Sequence, residues 1–318
     1  MEEFRFAIMG AGNIAHKFCD AVRHVEGARV IAIAARDGER ARAFAEKEDV
    51  PASYEGYEAM LKAEKPDAVY IATLPNTHFP LTMLCLDYKV PVICEKAMFM
   101  TAKEAETVFA RSEKEGVFVM EAMWSRFLPA VNLAKKWLEE GRIGKLVEAD
   151  TAIGFLAPPE PTNRYRDPAL GGGAAFDITV YAYEITTHLL GDGYLSVNTA
   201  MVKDPIAGAD LSDQVTLTYP DFIATLFTTF GAAVEERTLL IGDKGKMILP
   251  SPHHKNQVFL YDAEGKLIDQ FQGDPAVNGF IYEIGEVMKC VREGKCESSV
   301  VPHKTTVACA KLFDEILK

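Results

Sequence analysis

Over the first 120 residues the hydrophobic pattern switches period repeatedly. Runs that are apolar on successive residues, at 6–9, 30–34, 68–71, 90–94 and 117–120, are separated by longer stretches such as 39–48 and 101–115, which are charged on one side and rich in Ala, Phe and Val on the other. Continuous apolar runs of this length suit strands covered on both faces, and the intervening period suits amphipathic crossover helices. The alternation predicts a doubly wound α/β domain with a parallel sheet. After Met120 the grammar changes. A helical stretch over 131–140 ends at Gly141, and most strands beyond Leu146 alternate apolar and polar residues, as at 214–219, 222–230 and 257–261. Tight turns at Tyr219-Pro-Asp221 and Gly242-Asp-Lys-Gly245 join them, which predicts antiparallel pairing with one face buried. Helical segments are expected at 174–190, 278–292 and 305–317.

These elements imply two domains, 1–122 and 123–318, joined by a compact hinge near Met123, with the last helix able to pack back on the first domain. The second is expected to be α+β with a large, mostly antiparallel open sheet. A chain of 318 residues has the interior for both. The formal charge of −12, with no long basic run, argues against nucleic acid as the main partner. The N-terminus lacks the plan of a signal peptide and no apolar run approaches the roughly 20 residues of a membrane helix, so a cytoplasmic protein with no membrane partner is expected. The six cysteines form no Cys-x-x-Cys pair. His253-His254 has no carboxylate at ligand spacing, so no metal site is expected.

Gly10-Ala11-Gly12-Asn13-Ile14-Ala15 follows the first apolar run and opens a helix, the context that a G-x-G-x-x-G/A dinucleotide fingerprint requires. Gly10 permits the tight turn, Gly12 lets the backbone approach a pyrophosphate at the helix N-terminus, and Ala15 allows close helix packing. The run at 30–34 leads into Ala35-Arg36-Asp37. Ala35 stands where an NAD enzyme carries its ribose-binding acid and Arg36 can meet a 2′-phosphate, so the chemistry favours NADP over NAD. Asp37 is read first as a cap for the next helix and second as a displaced ribose acid. Thr73, Leu74, Asn76 and His78 follow the run at 68–71 and are candidates to line the cofactor cleft; for His78 a helix-start role without a ligand is an equal alternative. Glu95-Lys96 ends the run at 90–94 at the same edge of the sheet.

Taken in order, the Gly10 fingerprint, the Thr-x-Pro-Asn-x-x-His run ending at His78, Glu95-Lys96 and Gly171-Gly-Gly-Ala-Ala-Phe-Asp177-x-x-x-Tyr181 resemble the glucose-fructose oxidoreductase/inositol dehydrogenase (Gfo/Idh/MocA) family. Residues 116–129, the Ala-Ala-Arg-Asp at 34–37 and the Asp177-to-Tyr181 spacing are most similar to its dimeric dihydrodiol dehydrogenase/D-xylose dehydrogenase branch, which uses NADP. The resemblance implies an N-terminal Rossmann domain, a C-terminal α+β domain whose open sheet often forms a dimer surface, and Lys96 and Tyr181 beside the nicotinamide with Asp177 nearby. It implies hydride exchange with a polyol, sugar or dihydrodiol and a homodimer. Tyr181 would be the proton donor or acceptor, Lys96 the charge that lowers its pKa, and Asp177 a substrate orienter.

Trp124, Arg126 and Phe127 are candidates for an aromatic wall and a polar contact at the cofactor, with a structural salt bridge an equal alternative for Arg126. Two departures from the family pattern carry expectations. Ala97 replaces a proline after Lys96 and could loosen that loop, and Thr179 replaces a glycine, adding bulk near the cleft. The competing class is a non-catalytic NADP-binding sensor or regulatory homologue, against which the retention of Lys96, Asp177 and Tyr181 argues.

Overall fold

A computed structural model describes residues 3–275 and 277–318. They fall into two compact units: the chain up to Trp124 together with Asn278–Ala310, and Ser125–Val277 together with Lys311–Lys318.

The first unit is built on β1 (Phe4–Met9), β2 (Ala28–Ala35), β3 (Ala52–Glu55), β4 (Ala68–Ile71), β5 (Val92–Glu95) and β6 (Val119–Ala122). They form one sheet in the order β3-β2-β1-β4-β5-β6, with every neighbouring pair parallel. The order reverses between β1 and β4, the switch point at whose carboxyl edge such sheets bind ligands. β4, β5 and β6 are buried along their whole length, Glu95 of β5 and Glu121 of β6 included. β3 alternates half-buried and exposed residues at the sheet edge, so it lacks the signature that marks its neighbours. The crossovers are α1 (Asn13–Arg23), α2 (Gly38–Glu48), α3 (Tyr57–Glu64), α4 (His78–Asp87) and α5 (Ala102–Glu115). Later in the chain this unit gains a helix, Phe280–Arg292, which packs on α1. Asn278 Nδ2 fastens its start by donating to the Lys17 carbonyl at 2.9 Å. In the helix His303–Ile316, the His303 ring stacks on Phe109 with centroids 4.0 Å apart, and Thr306 Oγ1 donates to Glu121 Oε2 at 2.9 Å. The chain therefore crosses between units three times.

The second unit holds α6 (Pro129–Glu139), β7 (Leu146–Gly154), α7 (Val180–Leu190), β8 (Ser196–Lys203), β9 (Asp210–Thr218), β10 (Ile223–Thr229), β11 (Arg237–Gly242), β12 (Gly245–Pro250), β13 (Gln257–Asp262) and β14 (Leu267–Gln272). The sheet order is β14-β13-β12-β11-β7-β10-β9-β8. β7 and β10 are parallel and the other neighbours antiparallel. Alternate residues such as Val215, Leu217, Leu226, Leu240, Met247 and Leu260 are fully buried on the face that α6 and α7 cover. The opposite face carries Ile223, Thr225 and Phe227 beside Arg237, Leu239 and Ile241. The segment expected to be one helix over 174–190 divides: Ala175–Thr179 is a π-helical turn, and α7 proper starts at Val180. Among the described residues no helix is long and apolar enough to cross a membrane.

Candidate functional site

β1 delivers the chain to Gly10, whose N–H donates to the Ala34 carbonyl at 2.8 Å. Gly10 has a φ of +106°, and a Cβ there would lie 2.8 Å from the Ala72 carbonyl oxygen, so only glycine fits. Gly12 occupies the N-cap of α1 in an extended conformation. It supplies no side-chain cap, and the first turn contains no acidic residue. Ala11, Gly12 and Ile14 are half-buried and Asn13 is exposed. The N–H groups of the turn are thus presented without a competing side-chain acceptor, the arrangement a pyrophosphate needs.

At the end of β2, Ala35 is buried and Arg36 is exposed. Asp37 caps α2, its Oδ1 accepting from the backbone N–H of Glu39 at 2.9 Å and of Arg40 at 3.3 Å, which agrees with the first of its two readings. Arg40 adds a second cation that sequence reasoning missed. Its guanidinium reaches within 3.4 Å of the Ala11 carbonyl, and both Arg36 and Arg40 act on the phenol of Tyr57, which burial pushes up and the two positive charges pull back. The available signal was proximity in the chain, since Arg40 follows Arg36 by four residues across the cap of α2.

After β4, Thr73, Leu74 and Asn76 lie in a short 3₁₀ turn region in which Thr77 Oγ1 donates to the Leu74 carbonyl at 2.8 Å. Asn76 is exposed and Thr73 and Leu74 are half-buried. His78 is fully buried. Its Nδ1 lies 3.0 Å from the Ala97 carbonyl and its Nε2 3.2 Å from the Thr73 carbonyl. Burial pushes its pKa down to about 4, so the ring is neutral at pH 7, and its single N–H donates to one of these two carbonyls while the ring packs between both loops of the sheet edge. One of those loops contains Lys96. Ala97 is buried with its carbonyl against His78, and the Met98 N–H donates to Glu121 Oε1 at 2.9 Å. These two contacts hold the loop that carries Ala97 in place of the proline. The Tyr70 hydroxyl donates to Glu95 Oε1. Nearby, Glu283 is fully buried, and burial together with the charge of Glu95 holds its carboxyl well above the ordinary range.

In the second unit, Asp177 lies within the π turn, 3.8 Å from Arg164 Nη1. Tyr181, one turn later in α7, is 8% exposed, with its ring 5.4 Å from that of His253. Thr179 is buried and turned inward: its hydroxyl donates to Asp213 Oδ2 at 2.8 Å and lies 2.6 Å from Thr228 Oγ1. The expected bulk near a cleft is instead part of the interior. Trp124 opens a 3₁₀ turn over Trp124–Phe127 and its ring lies 5.6 Å from Phe280. Arg126 is 4% exposed, with Nε 2.7 Å from Oε2 of the fully buried Glu184 and Nη2 donating to Thr187 Oγ1 at 3.1 Å. Its placement favours the salt-bridge alternative. His188, in the same cluster, is pushed down to about 3 by burial and by the charge of Arg126.

The first unit thus gathers Gly10 to Ile14, Arg36, the 73–78 turn and Glu95-Lys96 at one edge of its sheet, while Asp177 and Tyr181 share the start of one helix in the second. Comparison with known proteins follows the same division. Residues 4–123 match the model of the oxidoreductase family with an NAD-binding Rossmann fold, and residues 131–248 match the GFO/IDH/MocA C-terminal domain. Trans-1,2-dihydrobenzene-1,2-diol dehydrogenase of Mus musculus is 30% identical over 321 residues, covering 99% of this chain and 96% of the mouse protein. The enzyme of the same name from Homo sapiens is 29% identical over 99% and 96%. A 3-ketoreductase from Actinomadura kijaniata superposes with a TM-score of 0.88 at 22% identity, over 99% of this chain and 97% of that one, and an aldose-aldose oxidoreductase from Caulobacter crescentus with 0.86 at 22%, over 98% and 96%. With both domains matched in order and a full-length relative at 30% identity, the chain belongs to the Gfo/Idh/MocA oxidoreductase family.

Proposed function

We propose that the protein is an NADP-dependent oxidoreductase that interconverts a secondary alcohol and a carbonyl on a sugar, a sugar derivative or a trans-dihydrodiol. The observation that carries this reading is the α1 N-terminus, which lacks a competing side-chain acceptor, beside a β2 end that offers Arg36 in place of an acid. Gly10 and Gly12 admit the pyrophosphate, Ala11, Asn13 and Ile14 present the first turn to it, and Arg36, supported by Arg40, meets the 2′-phosphate. Thr73, Leu74 and Asn76 line the cofactor beyond the turn, while His78 and Glu95 hold that edge in shape. When bound, the dinucleotide supplies the hydride donor or acceptor at its nicotinamide. The protein's own task is the proton. Tyr181 gives or takes it at the substrate oxygen, Lys96 provides the positive charge that holds this oxygen and favours the phenolate, and Asp177 orients a neighbouring hydroxyl. The name of the 30% identical relatives supports the dihydrodiol among these substrates.

Homodimerisation through the open face of the second sheet is part of the proposal. Ile223 and Phe227 are 48% and 37% exposed there, flanked by Asp150 and Arg237, which pair at 3.0 Å. The functional test is absorbance at the nicotinamide band with a panel of dihydrodiols, aldoses, ketoses and inositols, each with NADP and NAD. Turnover with NADP preferred is expected. Binding of NADP without turnover of any member would favour the sensor class, and a preference for NAD would overturn the cofactor assignment.

A further inference from the structure

Two carboxyls on β9 grip the turn that bears Asp177. Where β9 pairs with β8, Val202 lies opposite Ser212 and Lys203 opposite Asp210, so Leu211 is an extra residue. Strict alternation would send Asp210 and Asp213 to opposite faces, and this bulge brings both inward. They are 3% and 1% exposed. Asp210 Oδ2 accepts the Ala175 N–H at 2.5 Å, and a Cβ on Gly173, whose φ is +124°, would lie 2.0 Å from Asp210 Oδ1. Asp213 Oδ2 accepts from Thr179 Oγ1. The first and last residues of the π turn Ala175–Thr179 are therefore each tied to one carboxyl, with Asp177 midway and Tyr181 two residues on.

Two negative charges facing one another in the interior do not both persist. Burial, then the charge of Asp210, pushes Asp213 up to about 8. Asp210 is also raised by burial but is opposed by the N–H groups of Ala175 and Ala174, bonds that favour the carboxylate on this member of the pair. Asp213 Oδ1 is buried without a hydrogen-bond partner, so nothing there stabilises a charge on that oxygen. The elements packed against Asp213 turn Met201, Thr228 and Thr179 toward it, and its ionisable neighbour is Asp210. Of the arginines in the preceding loop, Arg166 is engaged by Asp204 and Arg164 approaches Asp177.

We propose that Asp210 and Asp213 share a single proton and act as positioning residues that clamp the π turn, holding Asp177 and Tyr181 in place, so that removing this proton loosens the turn and slows turnover. The inference rests on the role given to Tyr181 above. Asp213→Asn imitates the protonated carboxyl permanently, since its amide can donate toward Asp210 and its oxygen can still accept from Thr179. Relative to this variant, the denaturation midpoint of the wild type should fall as the pH rises from about 4 to about 8 and then run parallel, because folded Asp213 retains a proton that the unfolded chain has lost. At pH 7 the variant's kcat should be within about threefold of wild type, and the wild-type fall in kcat near pH 8 should be absent, with KM and cofactor affinity unchanged.

A constant stability gap across that range refutes the shared proton whatever Tyr181 does. A changing gap with identical kcat profiles refutes the positioning role, whereas an error about Tyr181 shows separately as full turnover in Tyr181→Phe. If Asp213→Asn does not fold, Thr179→Val carries the test. Losing the hydroxyl removes a bond that favours the carboxylate, so the alkaline fall should move to higher pH, and an unmoved limb overturns the proposal.

Discussion

Replacing Arg126 by Met separates a cofactor contact from an interior ion pair. The guanidinium lies 2.7 Å from Glu184 Oε2, donates to the Glu184 carbonyl at 3.1 Å and to Thr187 Oγ1 at 3.1 Å, and Glu184 is fully buried. Methionine fills most of the volume but strands the carboxylate, and removing one partner of a buried pair costs about 3–5 kcal/mol. Burial already raises the Glu184 carboxyl while Arg126 opposes it, so the variant's folded pKa climbs further above its unfolded value. An acid raised on folding contributes stability that is intact below its unfolded pKa and is lost as pH rises toward its folded pKa. The wild-type carboxyl is raised too, so the deficit should be larger at pH 8 than at pH 5 by up to about 1.4 kcal/mol for each pH unit between the folded pKa values of wild type and variant. Urea unfolding, followed by fluorescence at both pH values, measures it. Adding Glu184→Leu should recover most of the loss, while NADP affinity stays within about twofold throughout because the pair lies inside the second unit. Unchanged unfolding combined with a tenfold or greater loss of NADP affinity would refute the reasoning and return Arg126 to the cofactor.

Arg36→Ala should weaken NADP by about 10- to 100-fold and leave NAD nearly unchanged, the worth of one charge-assisted contact; equal losses in a titration of both dinucleotides would contradict it. Gly10→Ala should abolish binding of both, since its Cβ must displace the Ala72 carbonyl at a strained φ; calorimetric titration of a folded variant that still binds would show that the turn adapts. Sedimentation at micromolar concentration should find a dimer that Phe227→Lys converts to monomer, and a monomeric wild type would remove the open sheet face from the account.

What could be read from the sequence and what could not divides along physical lines. Strands buried on both faces announce themselves as continuous apolar runs, and β1, β4, β5 and β6 lie close to those positions. β3, half-exposed at the edge, has no such run. The cap at Asp37 was legible because capping is local, needing only the helix start that follows it. The π turn was not, because the partners of its two ends, Asp210 and Asp213, are more than 30 residues away and are brought inward by a bulge. Thr179 was misread for the same reason: its partners lie on β9 and β10. The ion partner of Arg126 is 58 residues along the chain, a separation over which periodicity says nothing about pairing. The Gly10–Ala15 turn was legible because its residues are consecutive and lead straight into α1.

The central claim is that Tyr181 exchanges the substrate proton under the influence of Lys96. Its most direct test is the pH dependence of kcat with a slow, chemistry-limited substrate, measured for the wild type, Tyr181→Phe and Lys96→Met. Tyr181→Phe should lower kcat by roughly 10²–10⁴-fold and abolish the ionisation that belongs to the phenol, leaving the alkaline fall assigned to Asp213, with cofactor affinity little changed because the ring remains. Lys96→Met should be at least as damaging and should move the ionisation upward, since the cation that favours the phenolate is gone. A Tyr181→Phe enzyme with wild-type turnover and an unaltered pH profile would contradict the account and leave Tyr181 as a residue of the buried helix alone.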